Sequence, residues 1–355
     1  MPNSHLLRRK RDNANGSTSR RSYQDPIGPQ RLIKVSTLKL VEFKKDDVVP
    51  SYAILSHRWI QGEEVSYQEF MKRPRSPDTE SKSGYRKITN ACALARFDGI
   101  DYVWVDTCCI DKGNHDDVAR NIKSMYAYYQ NATICYAYLV DVTDDILLLS
   151  NRFMNSKWFK RGWTLQELLA PRKVMFFNET WVCLGDKKKL KHPISYLTSI
   201  PPEIVSGERS VHEVAPLERM SWTIGRRTTR PPDRAYCLLS LLDVTMEPDY
   251  NETMKESMER LCKIFVETHP HHSAAFDSDE CSFLDILDGA RDRFRSTRDW
   301  DMEALHKTIT QLYHGTQLYH GVSYFRECNS FSIQIVCAPG LTSACTISLW
   351  RYFSM

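Results

Sequence analysis

Residues 101–142 constrain the chain most, because they read as strand, loop, helix and strand without interruption. Tyr102 to Val105 is a short run of β-branched and aromatic residues, the composition of a strand buried on both faces. Polarity returns at Asp106, and Gly113 and Asn114 suit a turn. Asp116 and Asp117 stand as N-cap candidates. The helix behind them has Val118, Ile122, Met125 and Tyr129 at helical spacing and ends at Asn131. Ile134 to Val140 is a second strand, with Asp141 at its end. Strand, a crossover of roughly two dozen residues and strand make a βαβ unit, which belongs in a parallel sheet and is right-handed. Asp106, Cys108, Cys109 and Asp111 then fall past the carboxyl end of a strand, where open α/β sheets place ligands.

A chain of 355 residues can bury a sizeable core in one or two domains, and 42% hydrophobic with 11% aromatic residues is a globular composition. The net charge of +4 argues neither for nor against an acidic partner, and no nucleic-acid partner is expected. Residues 1–25 carry Arg8, Arg9, Lys10, Arg11, Arg20 and Arg21 against Asp12 and Asp25, with few apolar residues. They read as a disordered basic tail, and Leu7 to Arg11 is a weak candidate for a nuclear import signal. No signal-peptide core follows Met1 and no apolar run of about 18 residues occurs, so a soluble, cytoplasmic protein without a membrane segment is expected. The 11 cysteines are scattered through apolar patterns with no C-x-x-C pair, which reads as buried thiols in a reducing compartment and no metal site.

In chain order, residues 31–43 alternate as a strand pair or edge, and Ser51 to Ser56 is the first core strand, ending in Ser56-His57-Arg58-Trp59. Residues 62–83 read as a long polar, flexible insertion with Pro74 and Pro77. Lys87 to Phe97 is an amphipathic helix stopped by Gly99. A helix from Thr164 ends at Pro171, Lys173 to Phe177 is another apolar strand, and Trp181 to Leu184 a further one. Lys187 to Lys191 reads as a solvated charge run. From Pro193 the pattern turns helical. A strong helix is expected from Pro231, with Ala235, Leu238, Leu239 and Leu242 on one face. A second is expected over residues 251–267. The pattern fades after about Thr268, where Gln311 to Gly315 repeats as Gln317 to Gly321.

Six segments together resemble the fungal heterokaryon-incompatibility (HET) domain. They are Tyr52 to Trp59; Val103 to Lys112; Asn121 to Tyr126; Ala137 to Leu139 with Asp141; Trp158-Phe159 with Arg161 to Pro171; and Asp233 to Leu239. The set covers residues 33–250. It departs from the family at Ile60-Gln61, where a glycine usually follows the tryptophan. The resemblance implies a HET domain over residues 26–270, with an α/β core at about 33–185 and a helical part at about 190–270. Residues 1–25 and 271–355 lie outside it. It also implies a role in non-self recognition between fungal individuals and in programmed cell death after cell fusion. Self-association, or partners among other HET or NLR-type signalling proteins, is expected with it.

The HET domain in turn resembles the TIR fold, a flavodoxin-like, mostly parallel sheet flanked by helices. Tyr52 to Arg58 is similar to the first TIR strand and its loop. Trp163 to Leu168 is similar to the TIR segment that bears the catalytic glutamate. Catalytic TIR domains hydrolyse NAD at the nicotinamide–ribose bond, so the resemblance implies NAD as substrate and Glu167 as catalytic carboxylate. No bound cofactor is implied. One carboxylate can stabilise an oxocarbenium-like ribose and hold its hydroxyls, as in glycosidases.

The other candidates follow from residue chemistry. Arg58 and His57 could hold phosphates, and Trp59 or Trp163 could stack on a base. Asp106 could complete an acid pair or stand in a magnesium site, whereas Asp111 reads as an Asx turn. A Ser56–His57 dyad is unfavourable, because adjacent residues of a strand point to opposite faces. Ser56 and Cys108 remain candidates for ligand contact, though a buried thiol is the better reading of Cys108. Arg161 and Asp233-Arg234 read as ion pairs joining the helical part to the sheet. Two functional classes stay open: an NAD-consuming effector, and a non-catalytic module that triggers death by protein–protein assembly.

Overall fold

The computed structural model describes residues 28–44, 46–143 and 152–271, and three short strands further on, Ser323–Glu327, Ser330–Gln334 and Thr346–Ser348. The basic tail, the nuclear-signal candidate and nearly all of residues 271–355 lie outside the described residues.

Seven strands form one sheet: β1 (Arg31–Lys34), β2 (Lys39–Glu42), β3 (Ala53–His57), β4 (Tyr102–Trp104), β5 (Ile134–Tyr138), β6 (Val174–Phe177) and β7 (Cys183–Asp186). Their order is β2-β1-β4-β3-β5-β6-β7. The three central pairings make the parallel run β4-β3-β5-β6, and β1, β2 and β7 close the two sides antiparallel. The fold class is therefore α/β with a mixed, centrally parallel sheet. Every residue of β3 and β5 is buried, as expected of strands covered on both faces.

The helices that matter for the site connect these strands: α1 (Tyr67–Met71), α2 (Pro77–Ser81), α3 (Ser83–Phe97), α4 (Asp106–Cys109), α5 (His115–Asn131) and α6 (Thr164–Leu169). In the helical part follow α7 (Lys191–Thr198), α8 (Pro202–Ser206), α9 (Pro216–Ser221), α10 (Asp233–Tyr236) and α11 (Met254–Thr268). Helix α5 lays Ile122, Met125, Tyr128 and Tyr129 on the sheet. Tyr128 and Tyr129 meet Trp104 of β4 edge-on at 5.8 and 6.0 Å, contacts that add about 0.5–1.5 kcal/mol each beyond burial. Gly99 ends α3 at φ +72°, a conformation that costs glycine little.

Five local expectations are corrected. The N-cap of α5 is Asn114, whose side chain accepts from Asp116 and Asp117 N–H, while Asp117 is buried against Arg31 and Arg120. Residues 62–83 contain two capped helices instead of a flexible insertion; at α1 the Ser66 and Glu69 side chains each take the other's backbone N–H. Residues 106–109 are a helical turn, not a loop. The helix from Pro231 lasts a single turn, although Ala235, Leu238, Leu239 and Leu242 are all buried. Lys187 is not solvated: it is 2% exposed, and its ammonium donates to the carbonyls of Leu168 and Pro171 behind α6. Burial lowers that ammonium to about 8.

Candidate active site

The alternation of β3 separates its last two residues. Ser56 faces α6 and His57 faces the loop that leads to α1. Glu167 is delivered to Ser56 by a tight approach to α6. Gly162 N–H donates to Arg227 O at 2.9 Å, and a Cβ at Gly162 would come within 2.5 Å of Thr228 Cγ2. The Thr164 hydroxyl lies 2.7 Å from Trp158 O and 2.9 Å from Arg161 O. Buried Arg226 donates to Arg161 O at 2.9 Å and to Thr164 Oγ1 at 3.1 Å. These bonds fix the start of α6, and Glu167 then points under the carboxyl end of β3.

There the Ser56 hydroxyl donates to Glu167 Oε2, and Trp158 Nε1 donates to Ser56 Oγ at 2.9 Å. Glu167 is 7% exposed. Burial raises its carboxyl to about 7; the Ser56 hydrogen bond opposes that rise and the Asp106 charge adds to it. A carboxyl in that range is poised to change protonation near neutral pH, which general acid–base and glycosidic chemistry require.

The second half of the site lies on the other side of β3. His57 Nε2 stands 3.3 Å from Glu64 Oε2, and His57 Nδ1 4.0 Å from Asp106 Oδ1. Those last two atoms are buried and have no hydrogen-bond partner. Lys87 of α3 donates to Glu64 Oε1 and, at 3.2 Å, to Arg58 O. Burial would raise the Glu64 carboxyl, but His57 and Lys87 hold it down at about 2. Trp59 Nε1 donates to Asp106 Oδ2 at 2.9 Å. Over the Trp59 ring sit the Lys112 ammonium, 3.6 Å from the centroid, and the Arg161 guanidinium, at 5.4 Å.

His57 and Asp106 are thus neighbours at the carboxyl ends of β3 and β4, and Glu167 lies on the other side of β3, where the Asp106 charge still reaches it. Ser56 has no exposed surface and acts on the site through Glu167. Trp59 offers its indole N–H to Asp106 and carries Lys112 on its ring, so a base could stack there only where Lys112 yields. The Arg58 side chain is partly exposed, with a buried Nε that has no partner. Cys108 does not reach the surface: it is 0% exposed, its thiol donates to Val105 O at 3.9 Å, and burial pushes it well above its ordinary value. Contact with a ligand arriving from solvent is excluded there. Trp163 is directed to the helical part, its Nε1 donating to Asp233 Oδ2 at 3.0 Å. Sheet and helical part are joined by this hydrogen bond and by those of Arg226 and Arg227 given above, and not by the expected ion pair among the described residues; Tyr250 OH donates to the other Asp233 oxygen at 3.0 Å. Asp111 forms the expected Asx turn, accepting from Gly113 N at 3.0 Å. Among the described residues, no group of three or more His, Cys, Asp or Glu side chains is placed to hold a metal ion.

Glu64, Lys87, Lys112, Arg161 and Tyr129 join the site without having been singled out for it. Glu64 sits in a polar run with no periodicity, and its bonds with Ile60 N at 2.7 Å, with His57 and with Lys87 turn it inward. Tyr129 reads as an ordinary core position of α5; its ring lies under β3 with the hydroxyl on Leu55 O at 3.3 Å.

Residues 52–152 match the family described as "Heterokaryon incompatibility protein (HET)". The chain is also 42% identical over 224 residues to the "Vegetative incompatibility protein HET-E-1" of Podospora anserina. That match covers 60% of this chain and 16% of the relative, so the chain spans about a sixth of the relative's length. No solved structure matches significantly.

Proposed function

For a chain that belongs to the heterokaryon-incompatibility family through the domain containing residues 52–152, we propose a role in non-self recognition between fungal individuals, with cell death executed by hydrolysis of NAD at Glu167. The observation that carries the chemistry is the Glu167 carboxyl, buried at the carboxyl end of β3 and raised to about 7, a rise to which the charge of the second carboxylate, Asp106, adds. The strand order supports the flavodoxin-like, TIR-like reading. Counted among themselves, the four parallel strands run 2-1-3-4, and β3, which ends in Ser56 and His57, is the strand at which that order turns.

In this reading nicotinamide leaves C1′ of the ribose with the bonding electron pair. Ionised Glu167 stabilises the oxocarbenium-like carbon and holds the ribose hydroxyls. Water then adds to C1′ and gives its proton to Asp106. Arg58, Lys112 and Arg161, which form no ion pair among the described residues, hold the diphosphate. His57 is kept in place by Glu64 and stands behind Asp106. The domain works in the cytoplasm and assembles with itself or with other HET or NLR-type proteins.

The full chain, at high concentration to allow assembly, is expected to convert NAD to nicotinamide, and Glu167→Ala to do so at a background rate. The wild-type rate is expected to rise with pH through about 7, because the working form of Glu167 is the carboxylate. One observation favours a second reading, that of a non-catalytic assembly module: the Glu167 carboxylate is already engaged by Ser56 and is nearly enclosed. No NAD loss, together with toxicity in cells retained by Glu167→Ala, would decide for the module.

A further inference from the structure

The opposite, amino-terminal edge of the parallel strands carries a cleft of about 270 Å³ lined by Arg172, Lys173, Val174, Asp186, Lys187 and Lys188. Four cations face one carboxylate. The loop entering β6 and the loop leaving β7 meet there because the two strands run antiparallel. The single acid is engaged: Asp186 Oδ1 accepts from the N–H groups of Lys188 and Lys189 at 2.8 and 2.9 Å. Lys187 is engaged too, as the buried donor to Leu168 O and Pro171 O. It neutralises the carbonyl end of α6, which would otherwise repel an anion. Arg172, Lys173 and Lys188 are exposed and form no ion pair among the described residues. Three free cations around a concave site, with its acid occupied and its helix end neutralised, make a receptor for a compact polyanionic group.

We propose that this cleft binds a phosphate group, free or borne by a small molecule or a lipid headgroup, at a site separate from Glu167. Its volume admits a phosphate with a small substituent. The guanidinium of Arg172 supplies the paired donors, with Lys173 and Lys188 as point charges.

Calorimetric titration of the full chain with inorganic phosphate and with pyrophosphate tests this, next to sedimentation with phosphatidylcholine vesicles with and without phosphatidate. Saturable binding is expected that weakens with salt. Arg172→Glu with Lys188→Glu should reduce it roughly tenfold or more, while Glu167→Gln leaves it unchanged. Both reversed positions are exposed, and an unchanged circular dichroism spectrum checks that the variant folds. Binding of the phosphatidate vesicles alone would assign the phosphate to a headgroup, and binding of the free ions to a soluble ligand. No binding in any arm, or binding untouched by the charge reversal, overturns the proposal.

Discussion

At Glu167 the physics of burial is a matter of stability before it is one of catalysis. A carboxyl raised from 4.5 to about 7 keeps its proton in the folded protein over a range where the unfolded chain has lost it. The folded state therefore binds more protons between those two values, and stability falls as pH rises across that window. The loss is on the order of 3 kcal/mol. Glu167→Gln, neutral at every pH, is expected to remove that slope. Denaturant midpoints at about pH 5 and about pH 8 should converge in the variant and stay apart in the wild type; equal slopes would mean that Glu167 titrates as in water. The two neighbours at the end of β3 have separate duties. Ser56 holds Glu167, and His57 stands between Glu64 and Asp106. That division was legible from sequence, because residue alternation along a strand needs no tertiary information. The partner Glu64 was not legible: nothing in a polar run says which of its acids will turn inward.

At the scale of elements, the first turn of α3 is where the site's second half is built. Gly84 N donates to Glu63 O at 2.9 Å, and a Cβ there would come within 2.4 Å of Glu63 O and 2.8 Å of Glu64 Cα. Both are backbone atoms and cannot rotate away. Gly84→Ala is expected to cost about 1–3 kcal/mol and to move Glu64 away from His57 and Lys87. Thermal melting gives the first effect. The second follows from the Glu64 carboxyl, which should climb from about 2 toward the ordinary range in a carbon-detected titration. The insertion was misread for a related reason. The caps of α1 and α2 use Ser66 with Glu69 and Ser76 with Thr79, residues equally at home in loops. Short helices of this kind are decided by packing, and Phe70, fully buried, anchors the first of them. Lys187 was misread likewise. Its neighbours Lys188 and Lys189 are exposed, and only the position of the α6 carbonyls separates it from them.

At the scale of the molecule, the sheet and the helical part share one continuous core that runs from Leu32 to Phe265. Asp233 is one of its polar joints, taking Trp163 Nε1 and Tyr250 OH on its two oxygens. Asp233→Ala leaves both half-buried donors without their acceptor, a cost of about 1 kcal/mol. Calorimetry of this variant is expected to give a lower melting temperature in a single transition, as in the wild type. Two transitions would mean that sheet and helical part fold independently. The parallel strands and the long helices α3 and α5 were determined by the sequence itself. Apolar runs, helical periodicity and helix-stopping residues are local signals, and a βαβ unit has one accepted handedness. The resemblance of Trp163 to Leu168 to a TIR segment singled out Glu167 as a candidate only. What the tertiary structure alone decided is which side chains meet. It enclosed Cys108, covered Trp59 with Lys112 and turned Trp163 to Asp233. It also gathered Arg172, Lys173 and Lys188 around a cleft at the amino-terminal end of β6. Such contacts join residues distant in sequence, where the free energy depends on shape and burial, and neither leaves a trace in local composition.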